Sequence, residues 1–243
     1  MKLTKHIPNI LTLLNLSSGL IALLYVFKQN WFWVAFFVSL GIFFDFFDGL
    51  VARTFKVSSP LGLQLDSLAD MVTSGVVPAF VMSFLLAHSL NISLLEPSGN
   101  VKYYWALSGL IIALASAYRL AKFNIDSRQS TSFIGLPTPA NALFIISLAL
   151  IFFNEDYQAI SRFLNNPYLL SLLTILSAYL LNAEIPLFSL KFKDFSWQNN
   201  QSKYILIFSS ILLISFLSYA AIPLIILLYI ILSLNFKANE ITH

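Results

Sequence analysis

The chain has 243 residues, of which 58% are hydrophobic and only 10% charged, with a net charge of +3 and no cysteine. A soluble domain typically carries about 25% charged residues, so this sequence lacks the polar surface needed to dissolve, and it can form neither disulfides nor thiolate metal sites. With a mean hydropathy of +0.80, the small positive charge bears on membrane topology and anionic lipid rather than on nucleic acid, for which no basic–aromatic module is present.

Apolar runs and their breaks predict eight spans, at roughly 8–27, 31–55, 61–87, 104–125, 137–154, 167–184, 203–219 and 221–236. The expected fold is all-α, a polytopic transmembrane helical bundle of about eight spans forming a single integral membrane domain over 1–243. No alternating strand pattern supports a barrel. Lys2, Lys5 and His6 before the first apolar run look superficially like a signal peptide, but no convincing cleavage site follows, and the run reads as a retained span. It opens I-P-N-I-L-T-L-L-N, where Pro8 suits a helix start and Asn9, Thr12 and Asn15 form a polar stripe at helical spacing. Such a stripe serves either interhelical hydrogen bonding or a polar ligand.

The second and third spans hold the chemistry. Four of the chain's 11 acidic residues, Asp45, Asp48, Asp66 and Asp70, lie between residues 45 and 70 within apolar sequence. Ionisable groups at membrane depth are costly and mark functional sites. Asp45 and Asp48 are i,i+3 neighbours and Asp66 and Asp70 are i,i+4 neighbours, so each pair projects from one helix face. Pro60 disfavours helix at Ser59 and fits the first turn of the next helix, so the chain can turn at V-S-S-P and bring the pairs together. Arg53 alone cannot neutralise four acids. Oxygen-only ligands suit hard divalent cations, Mg²⁺ or Mn²⁺. On physics alone, a cation transporter is the competing explanation of intramembrane acids.

Further along, Arg119, Lys122 and Asn124 close the fourth span in A-S-A-Y-R-L-A-K-F-N. They are either snorkelling anchors or a phosphate- or carboxylate-binding group beside the acids. Gly135, Pro137 and Pro139 bracket Thr138 in a turn before the fifth span. Residues 184–203 alternate basic and aromatic side chains and read as a segment lying on the membrane surface, with Trp197 at headgroup level. The last two spans, separated by Y-A-A-I-P, fit either a tight hairpin or one kinked helix. With the N-terminus inside, Lys2, Lys5, Arg53, Lys56, Arg119, Lys122, Arg128, Lys191, Lys193, Lys203 and Lys237 fall on the cytoplasmic side. Only Lys28, Lys102 and Arg162 fall on the other. The positive-inside rule then puts both termini and the aspartates towards the cytoplasm.

The stretch from Asp45 to Asp70 carries D-x2-D-G-x2-A-R-x8-G-x3-D-x3-D at every fixed position: Asp45, Asp48, Gly49, Ala52, Arg53, Gly62, Asp66 and Asp70. In this it resembles the CDP-alcohol phosphatidyltransferases, integral membrane enzymes of phospholipid synthesis. The segments L-G-L-Q-L-D-S-L-A-D-M-V-T-S-G-V-V-P-A, A-Y-R-L-A-K-F-N and F-I-G-L-P-T-P-A are similar to the bacterial membrane-embedded phosphatidylserine synthases within that family. The resemblance implies a six-helix core over about 7–193 with two C-terminal spans added at about 203–236. It implies transfer of a phosphatidyl group from CDP-diacylglycerol to L-serine with release of CMP, the alternatives being acceptors such as glycerol phosphate or inositol phosphate. It further implies two Mg²⁺ or Mn²⁺ ions, with Asp45 and Asp66 bridging both, Asp48 completing one and Asp70 the other. Asp70 is also the implied general base. Pro8, Asn9, Thr12, Gly49, Ala52, Arg53, Ser59 and Gly62 are implied for CDP-diacylglycerol, and Arg119 and Lys122 for serine or phosphate. A homodimer in the inner (cytoplasmic) membrane completes the expectation. Lys122 departs from the arginine more usual there but keeps the positive charge.

Overall fold

The computed structural model describes residues 6–55, 57, 59–126, 133–188 and 196–241. Helix α1 runs Ile7–Phe27 with a proline in its first turn, and α2 runs Trp31–Phe55. Helix α3, Pro60–Asp70, is capped at its N-terminus by Ser59, whose Oγ accepts from the Gly62 amide at 3.0 Å. It continues without a break through a π turn, Met71–Val76, into α4, Val77–Ser89. Helix α5, Val101–Leu107, is joined by a 3-10 turn to α6, Ile111–Ile125. Then come β1, Phe133–Ile134, and α7, Thr138–Phe152. Helix α8 is Gln158–Leu164, α9 is Pro167–Asn182 and β2 is Pro186–Leu187. Two long helices close the chain, α10, Trp197–Leu217, and α11, Ala221–Ile241.

The predicted spans match these helices to within a few residues. Five stretches are long and apolar enough to cross a membrane, or six if α7 and the segment from Glu155 to Leu164, bent by 89°, count as one. That supports a polytopic helical bundle; eight passes need in addition the shorter α9 and a double crossing by the C-terminal stretch. The stretch from Pro60 to Ser89 is the centre of the bundle, with 72% of its most apolar window buried against 33% or less in the others. Around α4 packs a core that includes Val26, Val38, Leu85, Ile112, Ile145 and Leu170. The outer faces of α1, α2, α10 and α11 carry exposed Leu, Ile and Phe, as a helix does where its solvent is hydrocarbon rather than water.

The choice left open for the last two spans falls to the hairpin. Ser218 has a positive φ of 51°, and the turn is tied to the far end of α7, where Tyr157 donates to the Leu217 carbonyl and Asn154 to the Tyr219 hydroxyl. Leu206 of α10 and Ile226 and Tyr229 of α11 belong to one apolar cluster, and α10 and α11 pack on each other.

One expectation is corrected. Residues 184–203 do not all lie on a membrane surface: β2 pairs with β1 antiparallel, Phe133 opposite Leu187 and Ile134 opposite Pro186. Leu187 and Phe188 are 2% and 8% exposed, because two large apolar side chains find an interior to enter. Trp197, by contrast, is exposed and stacks on Tyr204. Of the basic residues in the topology argument, Lys2, Lys5, Lys56, Arg128, Lys191 and Lys193 lie outside the described residues, as does Ser58 of the V-S-S-P turn.

Candidate active site

The aspartates gather because three helix ends meet at one end of the bundle. The last turns of α2 supply Asp45 and Asp48, and α3 supplies Asp66 and Asp70. The first turns of α1 pack against both helices. Thr12 Oγ1 lies 2.6 Å from Asp48 Oδ2 and 3.0 Å from the Pro8 carbonyl, so the polar stripe reaches the acids directly. Asp45, Asp48 and Asp66 each offer a carboxylate oxygen, all within 4.8 Å of one another. Asp48 is 6% exposed, and Asp66 Oδ1 is buried without a hydrogen-bond partner. No Lys or Arg forms an ion pair with these three among the described residues. Three carboxylates this close repel unless a cation lies among them, and a buried carboxylate oxygen without a hydrogen-bond donor is free to serve as a ligand. The residues therefore fit a hard divalent ion.

Asp70, one turn beyond Asp66, stands outside that trio. Its Oδ1 accepts from Asn15 Nδ2 at 3.2 Å, and it lies within electrostatic reach of Arg119 on α6. The π turn after Asp70 is locked from the same side. Thr73, fully buried, donates to the Asn15 carbonyl at 3.1 Å and sits between Gly19 and Gly41. A Cβ at Gly41 would lie 2.7 Å from Thr73 Cγ2, and one at Gly19 would lie 2.9 Å from Thr73 Cα. Such wide turns are frequent at functional sites.

The other predicted residues surround the acids. Pro8 is buried in the first turn of α1. Asn9 faces Gly62, where a Cβ would approach both Asn9 Oδ1 and Ser59 Oγ to 3.2 Å, so the bare glycine lets α1 and α3 close together. At Gly49 the Arg53 guanidinium folds over the helix, its Nη1 3.5 Å from where a Cβ would stand. Ala52 is half-buried beside it and Arg53 is exposed.

Arg119 and Lys122 lie on the Asp70 side. Arg119 is 7% exposed, and its Nε has no partner. With Lys122, Ile134, Leu181 and Asn182 it lines a small, partly open cavity of about 10 Å³, room for roughly one water. Lys122 reaches Glu184 at 3.4 Å across the rim, and Asn124 Nδ2 donates to Ser67 Oγ at 2.9 Å, which ties the end of α6 to α3. Thr138, which the sequence placed in a turn, is buried in the first turn of α7 with its hydroxyl unpartnered. Sequence reasoning did not single out Thr73 or Asn182. Only a three-dimensional pairing reveals them, Thr73 with two glycines and Asn182 with the Ala115 carbonyl at 3.0 Å.

A family model described as CDP-alcohol phosphatidyltransferase matches residues 5–185. The chain belongs to that family. Among curated relatives of this phosphatidyltransferase, one named CDP-diacylglycerol--serine O-phosphatidyltransferase from Bacillus subtilis is 32% identical over 180 residues, covering 74% of this chain and 88% of the relative. A protein of the same name from Methanocaldococcus jannaschii is 33% identical over 179 residues, covering 74% and 72%. An archaetidylserine synthase from Methanothermobacter thermautotrophicus is 32% identical over 162 residues, covering 65% and 64%. All four aspartates and the Arg119 cavity lie inside the family match, whereas α10 and α11 lie beyond it.

Proposed function

We propose that this phosphatidyltransferase moves the phosphatidyl group of CDP-diacylglycerol to the hydroxyl of L-serine, giving phosphatidylserine and CMP. The observation that carries the reading is the convergence of Asp45, Asp48 and Asp66 next to Asp70 and the buried, under-partnered Arg119. The names of the relatives differ in the lipid but agree on serine.

In the reaction the serine oxygen bonds to the phosphatidyl phosphorus, the bond from that phosphorus to CMP breaks, and the hydroxyl proton leaves to a base. Asp70 is the base: it sits beside the acidic trio, oriented by Asn15, and faces the side where Arg119 lies. Asp45, Asp48 and Asp66, with Asp70 at the edge, would hold the two divalent ions. Mg²⁺ or Mn²⁺ bound there would neutralise the pyrophosphate and the charge developing on CMP. Thr12 orients Asp48, and Pro8, Asn9, Gly49, Ala52, Arg53, Ser59 and Gly62 form the rim where the nucleotide of the donor lies, Arg53 meeting a donor phosphate. Arg119 presents a planar fork to the serine carboxylate, the geometry such a group recognises best, with Lys122 at the rim. The chain acts as one membrane domain and as a homodimer in the inner membrane, its acidic end and both termini cytoplasmic; the 11-to-3 distribution of Lys and Arg supports that orientation.

The test is CMP release by purified protein given CDP-diacylglycerol, Mg²⁺ or Mn²⁺, and serine, glycerol 3-phosphate or inositol phosphate in turn. Serine alone should support turnover. Turnover with another acceptor and none with serine would reject the acceptor and leave the family standing.

A further inference from the structure

The family match stops at residue 185, yet residues after it brace one wall of the Arg119 cavity. Leu187 and Phe188 enter a second core with Leu136, Leu206, Ile226 and Tyr229. Tyr229, midway along α11 and 9% exposed, donates its hydroxyl to the Phe188 carbonyl at 2.9 Å. Its ring meets the Phe188 ring edge-on, centroids 5.1 Å apart. Phe188 directly follows β2, β2 pairs with β1, and Ile134 of β1 lines the cavity over Arg119. Two strands of two residues do not hold themselves together in isolation. Beside their own pairing they have the Gly135 amide on the Ile185 carbonyl at 2.9 Å and the Leu136 amide on the Leu180 carbonyl at 2.8 Å. The Tyr229 hydroxyl is a further tie, and it comes from a helix outside the part of the chain shared with the family.

We propose that Tyr229 is a positioning residue for the acceptor: it pins Phe188, and through it the β1–β2 wall, against Arg119. The C-terminal hairpin thereby sets the shape of the pocket for a small zwitterion. This rests on the assignment of Arg119 to the serine carboxylate. The cavity beside Arg119 is small, about 10 Å³, and partly open, so the position of the β1–β2 wall decides how much room the serine carboxylate finds there. Tyr229 fixes where that wall stands.

The experiment is Tyr229→Phe in the full chain, which keeps the ring and removes only the hydroxyl, so the fold survives. The KM for serine should rise roughly two- to tenfold, the range of one net hydrogen bond, while kcat and the KM for CDP-diacylglycerol stay level. Amide exchange over 133–136 should quicken. A lowered melting temperature with both Michaelis constants unchanged would overturn the proposal and leave Tyr229 a packing residue, and so would an equal rise in both constants with exchange unchanged. Arg119→Lys, measured in parallel, separates the two levels. If it raises the serine KM and Tyr229→Phe does not, the positioning role fails alone. If it raises only the KM for CDP-diacylglycerol, the acceptor assignment fails and this proposal falls with it.

Discussion

Thr12 is where two accounts of the site part company, one in which it touches nucleotide and one in which it aims Asp48. Its hydroxyl has a single hydrogen and two acceptors in range, Asp48 Oδ2 at 2.6 Å and the Pro8 carbonyl at 3.0 Å. The shorter contact to a charged oxygen should win. Thr12→Val keeps the branched shape and removes that donor from a carboxylate that is 6% exposed. A hydrogen bond to a charged group contributes about 1.5–3 kcal/mol, so the half-saturating Mg²⁺ or Mn²⁺ concentration should rise roughly ten- to 150-fold. The KM for CDP-diacylglycerol at saturating metal should move far less. Thr12→Ser restores the donor and should recover most of the affinity. The assay is a metal titration of CMP release for the three proteins in one detergent. An unchanged metal dependence in Thr12→Val with a raised KM for CDP-diacylglycerol would refute the orienting role and assign Thr12 to the nucleotide.

Asp45→Asn and Asp66→Asn should each abolish turnover, since each removes an anionic ligand from the trio; near-normal rates for Asp66→Asn at saturating Mg²⁺ would show that it is not a shared ligand. Arg119→Ala should raise the KM for serine by roughly one to two orders of magnitude, the worth of one charge-assisted contact, and leave that for CDP-diacylglycerol nearly unchanged; the opposite pattern would move Arg119 to the donor phosphate. Gly41→Ala should destabilise the protein by about 1–3 kcal/mol, because the new methyl would stand 2.7 Å from Thr73 Cγ2 and 2.9 Å from Asn15 Oδ1. Thr73→Ser in the same chain removes the obstructing methyl and should recover part of the loss in a thermal melt; no recovery would locate the clash elsewhere.

The helices were legible because lipid imposes long apolar runs, and the acids because charge inside such runs has few explanations. The i,i+3 and i,i+4 spacings already placed Asp45 with Asp48 and Asp66 with Asp70 on common faces, and Pro60 marked the turn between them. The β1–β2 pair was not legible, since strands of two residues are too short to show a period. Nor was the π turn, which owes its place to the fit of Thr73 between Gly19 and Gly41, residues far away in sequence. Tyr229 escaped notice for a related reason: in an apolar helix one tyrosine looks like any interfacial aromatic until its hydroxyl is seen to meet the Phe188 carbonyl.

The turn at Met71–Val76 also works as a phase shifter between two halves of a continuous rod. In an unbroken α-helix each residue advances about 100° around the axis, so the face carrying Asp66 and Asp70 would dictate which face of α4 looks inward. A π turn accommodates one residue more than an α turn and uncouples those two angles. The half that carries Asp66 and Asp70 can then be clocked to the carboxylates of α2 while α4 is clocked to the packing of Val81, Met82 and Leu85, all fully buried. Deleting one residue within the turn would restore a plain α-helix and leave both faces in phase, whereas deleting one from the start of α4 with the turn kept would rotate its core face by about 100° relative to the acids. The position of an indel, more than its size, would decide whether this bundle keeps its site.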